Sequence, residues 1–238
     1  NLTPNDVNAR IPLTVTMKDA RWFNPLNGEI YKTDINNEGI LIDLKSGESM
    51  ILQTYNNVLP TNDIEQIKFE GTEKQLTDKW SLCFTESAPA INSTYTLDNI
   101  QTWETLNNDT AKIMMGTGVY TTTVTMTKDE AKAKWAINLG DVRESARVYV
   151  NDNFVGCAWS VPFILDCKDA FKAGKNTLRI EVTNLPANRI SELDRQGVKW
   201  RKFDEINVVD INYKKTSYAN WEAVKSGLNS NVTLLKLK

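Results

Sequence analysis

The run KWAINLGDVRESARVYVNDN, residues 134–153, decides the class of fold. Trp135, Ile137 and Leu139 alternate with Lys134, Ala136 and Asn138, and beyond Gly140-Asp141 the residues Ala146, Val148 and Val150 alternate with Arg147 and Tyr149. A period of two marks half-buried antiparallel strands, because successive side chains point to opposite faces of a sheet. Asn151-Asp152-Asn153 then supplies residues that tolerate the backbone of a tight hairpin.

The same pattern extends outward in both directions. Ile40, Ile42 and Leu44 alternate, as do Trp80, Leu82 and Phe84, and Leu178, Ile180 and Val182. The β-branched tract GVYTTTVTM adds a strand over 118–126, and turn residues recur at Asn27-Gly28, Ser46-Gly47 and 173–176. Helical periodicity is scarce: DCKDAF (166–171) fits one turn and ANRISELDR (187–195) fits two. The expected fold is all-β, an antiparallel jelly-roll β-sandwich with a smaller N-terminal β-sheet segment.

A polar stretch over 57–75 reads as a linker. It separates a small segment, 1–56, from a jelly roll over 76–238. The first segment is expected to hold about four strands, around IPLTVTM, WFNPLNGEIYK, GILIDL and ESMILQTY. That is too few to close a sandwich alone.

Composition narrows the function. The 238 residues carry a net charge of −2 with no basic stripe, which argues against nucleic acid as a partner. No apolar run reaches the ~18–20 residues of a membrane span. The chain has no histidine, which removes Ser-His-Asp and Cys-His chemistry and HExxH zinc sites together. Three scattered cysteines make no zinc cage and leave two options open, a Cys157–Cys167 disulfide or buried free thiols. No metal or other cofactor is expected. Catalysis here would rest on carboxylates, Lys, Tyr or a hard metal. The sequence opens at Asn1 with neither Met nor a signal peptide, which reads as a processed or cut end.

GTG at 116–118 is not a dinucleotide loop, since a β-branched strand follows where a helix should start. Glu192, Asp194, Asp204, Glu205 and Asp210 cluster as a glycosidase pair would require. They are interspersed with Arg189, Arg195, Lys199, Arg201 and Lys202, a mixture that ion pairing explains as well. Trp159, Trp200 and Trp221 are candidate sugar platforms, whereas Trp80 and Trp135 fall on inward phases. NLPANRI (184–190) reads as a crossover tied down by Asn184, Asn188 and Arg189, with Leu185 and Ile190 tucked into the sandwich. The other reading makes Arg189 part of a binding loop. Trp159, Arg189, Asp194 and Trp200 are therefore the candidate carbohydrate-binding residues.

Several of these runs together resemble a known module: WAINLGDVRESARVYVNDNFVGCAWSVPFILD, FKAGKNTLRIEVTNLPANRI, LDRQGVKWRKFDEIN and SGLNSNVTLLKL. It is the galactose-binding-like jelly roll of bacterial glycoside hydrolases, similar to the C-terminal one of family 106 α-L-rhamnosidases and to the sugar-binding domain of family 2 enzymes. The resemblance implies a carbohydrate-binding or structural accessory region of a secreted or periplasmic enzyme acting on plant or host polysaccharides. It also implies that the catalytic carboxylates sit on an upstream barrel of the same parent protein, so no residue of this sequence inherits a catalytic role. The alternative is an autonomous carboxylate-based glycoside hydrolase using residues such as Asp194 and Glu205.

Overall fold

The computed structural model describes residues 1–60, 69–202, 211–212 and 214–238. Six strands lie before residue 57. They are β1 (Val7–Ile11), β2 (Asp19–Phe23), β3 (Ile30–Lys32), β4 (Ile35–Asn36), β5 (Gly39–Leu44) and β6 (Ile51–Tyr55). They form two three-stranded antiparallel sheets, ordered β1-β5-β4 and β3-β2-β6, where one sheet of about four strands was expected. Ala20, Trp22, Tyr31 and Ile40 make a separate small core between them. IPLTVTM is not a strand. The ladder ends at Ile11, where Pro12 brings no backbone N–H to continue it.

The remaining strands build the sandwich. The first group is β7 (Phe69–Gln75), β8 (Trp80–Ala88), β9 (Tyr95–Leu97), β10 (Met115–Met126) and β11 (Trp135–Asn138). Then come β12 (Val142–Arg143), β13 (Ser145–Val150), β14 (Asn153–Ala158), β15 (Ile164–Asp166) and β16 (Gly174–Thr183). The last two are β17 (Gly227–Leu228) and β18 (Thr233–Leu237). A six-stranded sheet, β14-β13-β16-β10-β8-β9, faces a four-stranded one, β15-β11-β18-β7, and β12 pairs with β17. The inward phases read from the sequence meet in one core. Leu82, Val148, Leu178, Ile180, Ile137 and Leu234 are all fully buried there. Ala136, on the expected outer phase of β11, is buried too.

Residues 69–75, inside the stretch read as a linker, form β7 and pair with β18. A Thr127–Glu130 capping box anchors this strand from the side. Glu130 accepts from Thr127 N at 2.7 Å, Thr127 Oγ1 accepts from Glu130 N at 3.1 Å, and Lys74 Nζ reaches Glu130 Oε1 at 2.6 Å.

Trp103 forms the hub of the core's far end. Its Nε1 donates to the Tyr120 hydroxyl at 2.7 Å, and that oxygen also accepts from Leu228 N at 3.2 Å. Gly227, at φ +89°, lies so close to both rings that any Cβ there would overlap them. Burial pushes the Tyr120 hydroxyl up to about 12.

Among the described residues there are also two short α-helices, α1 (Asp109–Ile113), which the sequence did not announce, and α2 (Ala187–Arg195). DCKDAF makes a single turn closed by Ala170 N to Cys167 O at 3.0 Å. All three cysteines are free, with Cys167 buried, Cys83 half-buried and Cys157 exposed.

Candidate functional site

NLPANRI leads directly into α2, and its asparagines do the tethering. Asn184 accepts from Gly116 N at 2.9 Å and donates to Met114 O at 3.1 Å and Ser226 Oγ at 3.2 Å. Asn188 donates to Val224 O at 2.8 Å and accepts from Val224 N at 2.9 Å. The helical repeat turns Asn188 and Ser191 inward together. Arg189, one position round the helix, is half-buried. It makes no hydrogen bond or ion pair with the described residues, contrary to the bridging expected of it. Leu185, expected to tuck in, is exposed.

Asp194 closes a second group at the end of α2. Its two oxygens accept from Trp200 Nε1 at 2.6 Å and from Tyr218 N at 2.7 Å, and these bonds, the backbone one first, hold its carboxyl below the usual carboxylate range. The Trp200 and Tyr218 rings lie 6.1 Å apart and Tyr218 and Trp221 4.4 Å apart. The Arg201 guanidinium sits 4.8–5.1 Å over the Tyr218 and Trp200 rings. Glu192 pairs with Arg195 at 2.5 Å. The structure thus brings Asp194 and Trp200 together with Tyr218, but as a cluster satisfied by its own bonds. Asp204, Glu205 and Asp210 lie outside the described residues.

Trp159 sits elsewhere, in a cleft of about 650 Å³ whose lining includes none of Arg189, Asp194 or Trp200. One wall is the side of the sandwich where β14 and β15, the outermost strands of the two sheets, come together. The loop between them carries Trp159, 57% exposed, with Ser160 and Pro162. The opposite wall belongs to the N-terminal sheets and presents Glu29, Tyr31, Asp43, Lys45 and Glu48. The two walls touch where Gly47 meets the Val161 side chain, leaving no room for a Cβ.

Polar groups on the N-terminal wall are preset. Glu29 Oε2 accepts from the Tyr31 hydroxyl at 2.7 Å and from Asn27 Nδ2 at 2.8 Å. Lys45 Nζ is drawn off to Asp6 at 2.8 Å. Glu48 accepts from Lys45 N at 2.8 Å, yet burial raises its carboxyl above the ordinary range, with the Asp43 charge adding to the rise. Leu26, Leu41, Met50, Ile164 and Leu165 supply apolar surface between these groups. An apolar floor, one open indole and a few fixed acceptors suit a ligand with an apolar face and hydroxyl edges.

Sequence reasoning missed Tyr31, Glu29 and Glu48, because nothing local links them to a tryptophan more than a hundred residues on. Tyr218 was missed as well, although its spacing from Trp221 would have pointed to a shared surface. Among the described residues no group of three or more His, Cys, Asp or Glu is arranged to hold a metal.

Comparison with known proteins places this geometry. The family described as glycosyl hydrolase 2 galactose-binding domain-like matches residues 100–225, just over half of the chain. A curated protein of Formosa agariphila named "Putative beta-glucuronidase" is 25% identical over 92% of this chain and 20% of its own length. The solved structure of a rhamnosidase from Novosphingobium sp. PP1Y superposes with a TM-score of 0.68, at 20% identity, over 97% of this chain and 21% of that one. A Bifidobacterium dentium β-glucuronidase gives a TM-score of 0.49 at 18% identity, over 70% of this chain and 30% of that one. The chain spans about a fifth of the length of the first two. The chain is all-β and belongs to the glycosyl hydrolase 2 galactose-binding domain-like family.

Proposed function

We propose that this chain is a non-catalytic carbohydrate-binding region serving a glycoside hydrolase, and that its ligand seat is the cleft at Trp159. The observation that carries the reading is the exposed Trp159 indole in a cleft that Glu29 and Glu48 also line and that is large enough for one or two sugar rings. The catalytic residues belong to another part of the parent protein. Within this chain Asp194 and Glu192 are consumed by Trp200, Tyr218 and Arg195, so neither is placed as an acid or a nucleophile.

A glycan array probed with the intact chain tests this directly. Binding is expected, with a loss of roughly five- to tenfold in affinity on Trp159→Ala, given that a stacked aromatic contributes about 1–1.5 kcal/mol. The melting temperature should hold, because that side chain is largely in solvent. Aryl glucosides, galactosides and rhamnosides should not be hydrolysed. Turnover abolished by Asp194→Asn would instead establish the autonomous glycosidase.

A further inference from the structure

The cleft's charge distribution goes further than its shape. On the N-terminal wall stand three carboxylates, Glu29, Asp43 and Glu48; of the ammonium groups beside them, Lys45 is paired with Asp6 and that of Asn1 donates to the Glu48 backbone carbonyl. The opposite wall adds Asp166, and Lys168 and Lys238 line the cleft as well. Carboxylates only accept hydrogen bonds, so they suit sugar hydroxyls, and bidentate acceptance from neighbouring hydroxyls needs no counter-charge. A uronic acid brings a carboxylate of its own into this field, where like charges repel and desolvation is poorly compensated.

We propose that the cleft selects saccharides without a carboxylate, taking a neutral sugar on Trp159 with its hydroxyls on Glu29 and Glu48, and rejecting the corresponding uronide. The inference rests on the cleft being the carbohydrate seat and adds to it the charge class of the sugar. It departs from what the name of the Formosa agariphila relative suggests for that whole protein. Glu29 is already oriented by Tyr31 and Asn27, which leaves its Oε1 as the acceptor for a ligand.

The test uses pairs of probes that differ only in oxidation at C6: p-nitrophenyl β-glucoside against β-glucuronide, and galactoside against galacturonide. Binding to the intact chain is followed by calorimetry at neutral pH and low salt. The neutral member of a pair should bind more tightly, by roughly tenfold, the size expected of one like-charge contact at partly exposed distances. The double variant Asp43→Asn, Glu48→Gln should shrink that ratio severalfold with the melting temperature held. Equal or tighter binding of the uronide, or a ratio indifferent to the double variant, overturns the charge selection and leaves carbohydrate binding standing. Binding of a neutral probe that survives Trp159→Ala moves the sugar out of the cleft and overturns this inference too. No binding of either member of any pair, with an empty glycan array, overturns the carbohydrate reading itself.

Discussion

Asn188 and the backbone of Val224 exchange two hydrogen bonds, at 2.8 and 2.9 Å, across 36 residues of chain. The amide does for these two segments what a ladder does for neighbouring strands. It fixes α2 against the segment leading into β17. Replacing Asn188 by Ala strands a carbonyl and an N–H at a mostly buried site and should cost roughly 1–3 kcal/mol, read as a lower urea midpoint at unchanged m-value. Arg189→Ala beside it should stay within about 0.5 kcal/mol of the parent. A larger loss at Arg189 than at Asn188 would reverse the assignment of the tether.

Gly227→Ala should be among the most damaging substitutions in the chain. The new methyl has to displace either the Trp103 indole or the Tyr120 hydroxyl, and φ +89° is strained for any residue with a Cβ. Overpacking and backbone strain together predict about 3 kcal/mol of destabilisation, measurable by thermal or denaturant unfolding. A near-neutral result would mean the Trp103–Tyr120–Leu228 hub is looser than its distances indicate.

Stability should fall in acid partly through Glu130. The Lys74 ammonium first, then Thr127 N, hold its carboxyl below the ordinary glutamate range. A carboxylate whose folded value is depressed contributes fully above its unfolded value and loses that contribution as pH drops through the folded one. The stability difference between the parent and Glu130→Gln should therefore be clear near about pH 7 and shrink as pH drops below the ordinary glutamate range. A difference that does not change with pH would remove the ion pair as its cause.

The cysteines should separate by reactivity. Cys157 is exposed and lines the cleft, while Cys167 is 2% exposed with its thiol pushed up to about 12 by burial. A maleimide should label Cys157 in the native protein and reach Cys167 only on unfolding, as peptide mapping would show. A bulky adduct on Cys157 should also weaken glycan binding, and unchanged affinity would count against the cleft as the seat.

Alternation was legible wherever one face of a strand is buried and the other wet, as in Leu178, Ile180 and Val182 against Arg179 and Glu181. It failed at β7. There FEGTEKQ lies on the outside of the four-stranded sheet with Glu70, Thr72 and Glu73 all exposed, so no apolar phase exists to read. The N-terminal strands were undercounted because β3 and β4 are only three and two residues long. Around the site, Trp159 could be singled out from sequence as an indole beside a turn. The groups that share its cleft could not, because Glu29 and Glu48 line it only through the docking of the N-terminal sheets on the edge of the sandwich. Arg189 drew attention for its chemistry, but the helical phase gave the buried position to Asn188.

The pairing of β7 with β18 governs when the sandwich can be finished. About 160 residues separate the two strands, and closing so long a loop is slow even though its entropy grows only with the logarithm of length. During synthesis β7 therefore emerges long before β18, its partner among the described residues, whereas β1 to β6 find their partners nearby. Its charged, exposed surface suits that interval, since Glu70, Glu73 and Lys74 discourage an unpaired strand from joining a neighbouring molecule. Once β18 arrives, the same charges acquire a second use: Glu70 takes Lys236 at 2.7 Å while Lys74 takes Glu130. What guards the nascent chain against aggregation becomes the register of the finished sheet.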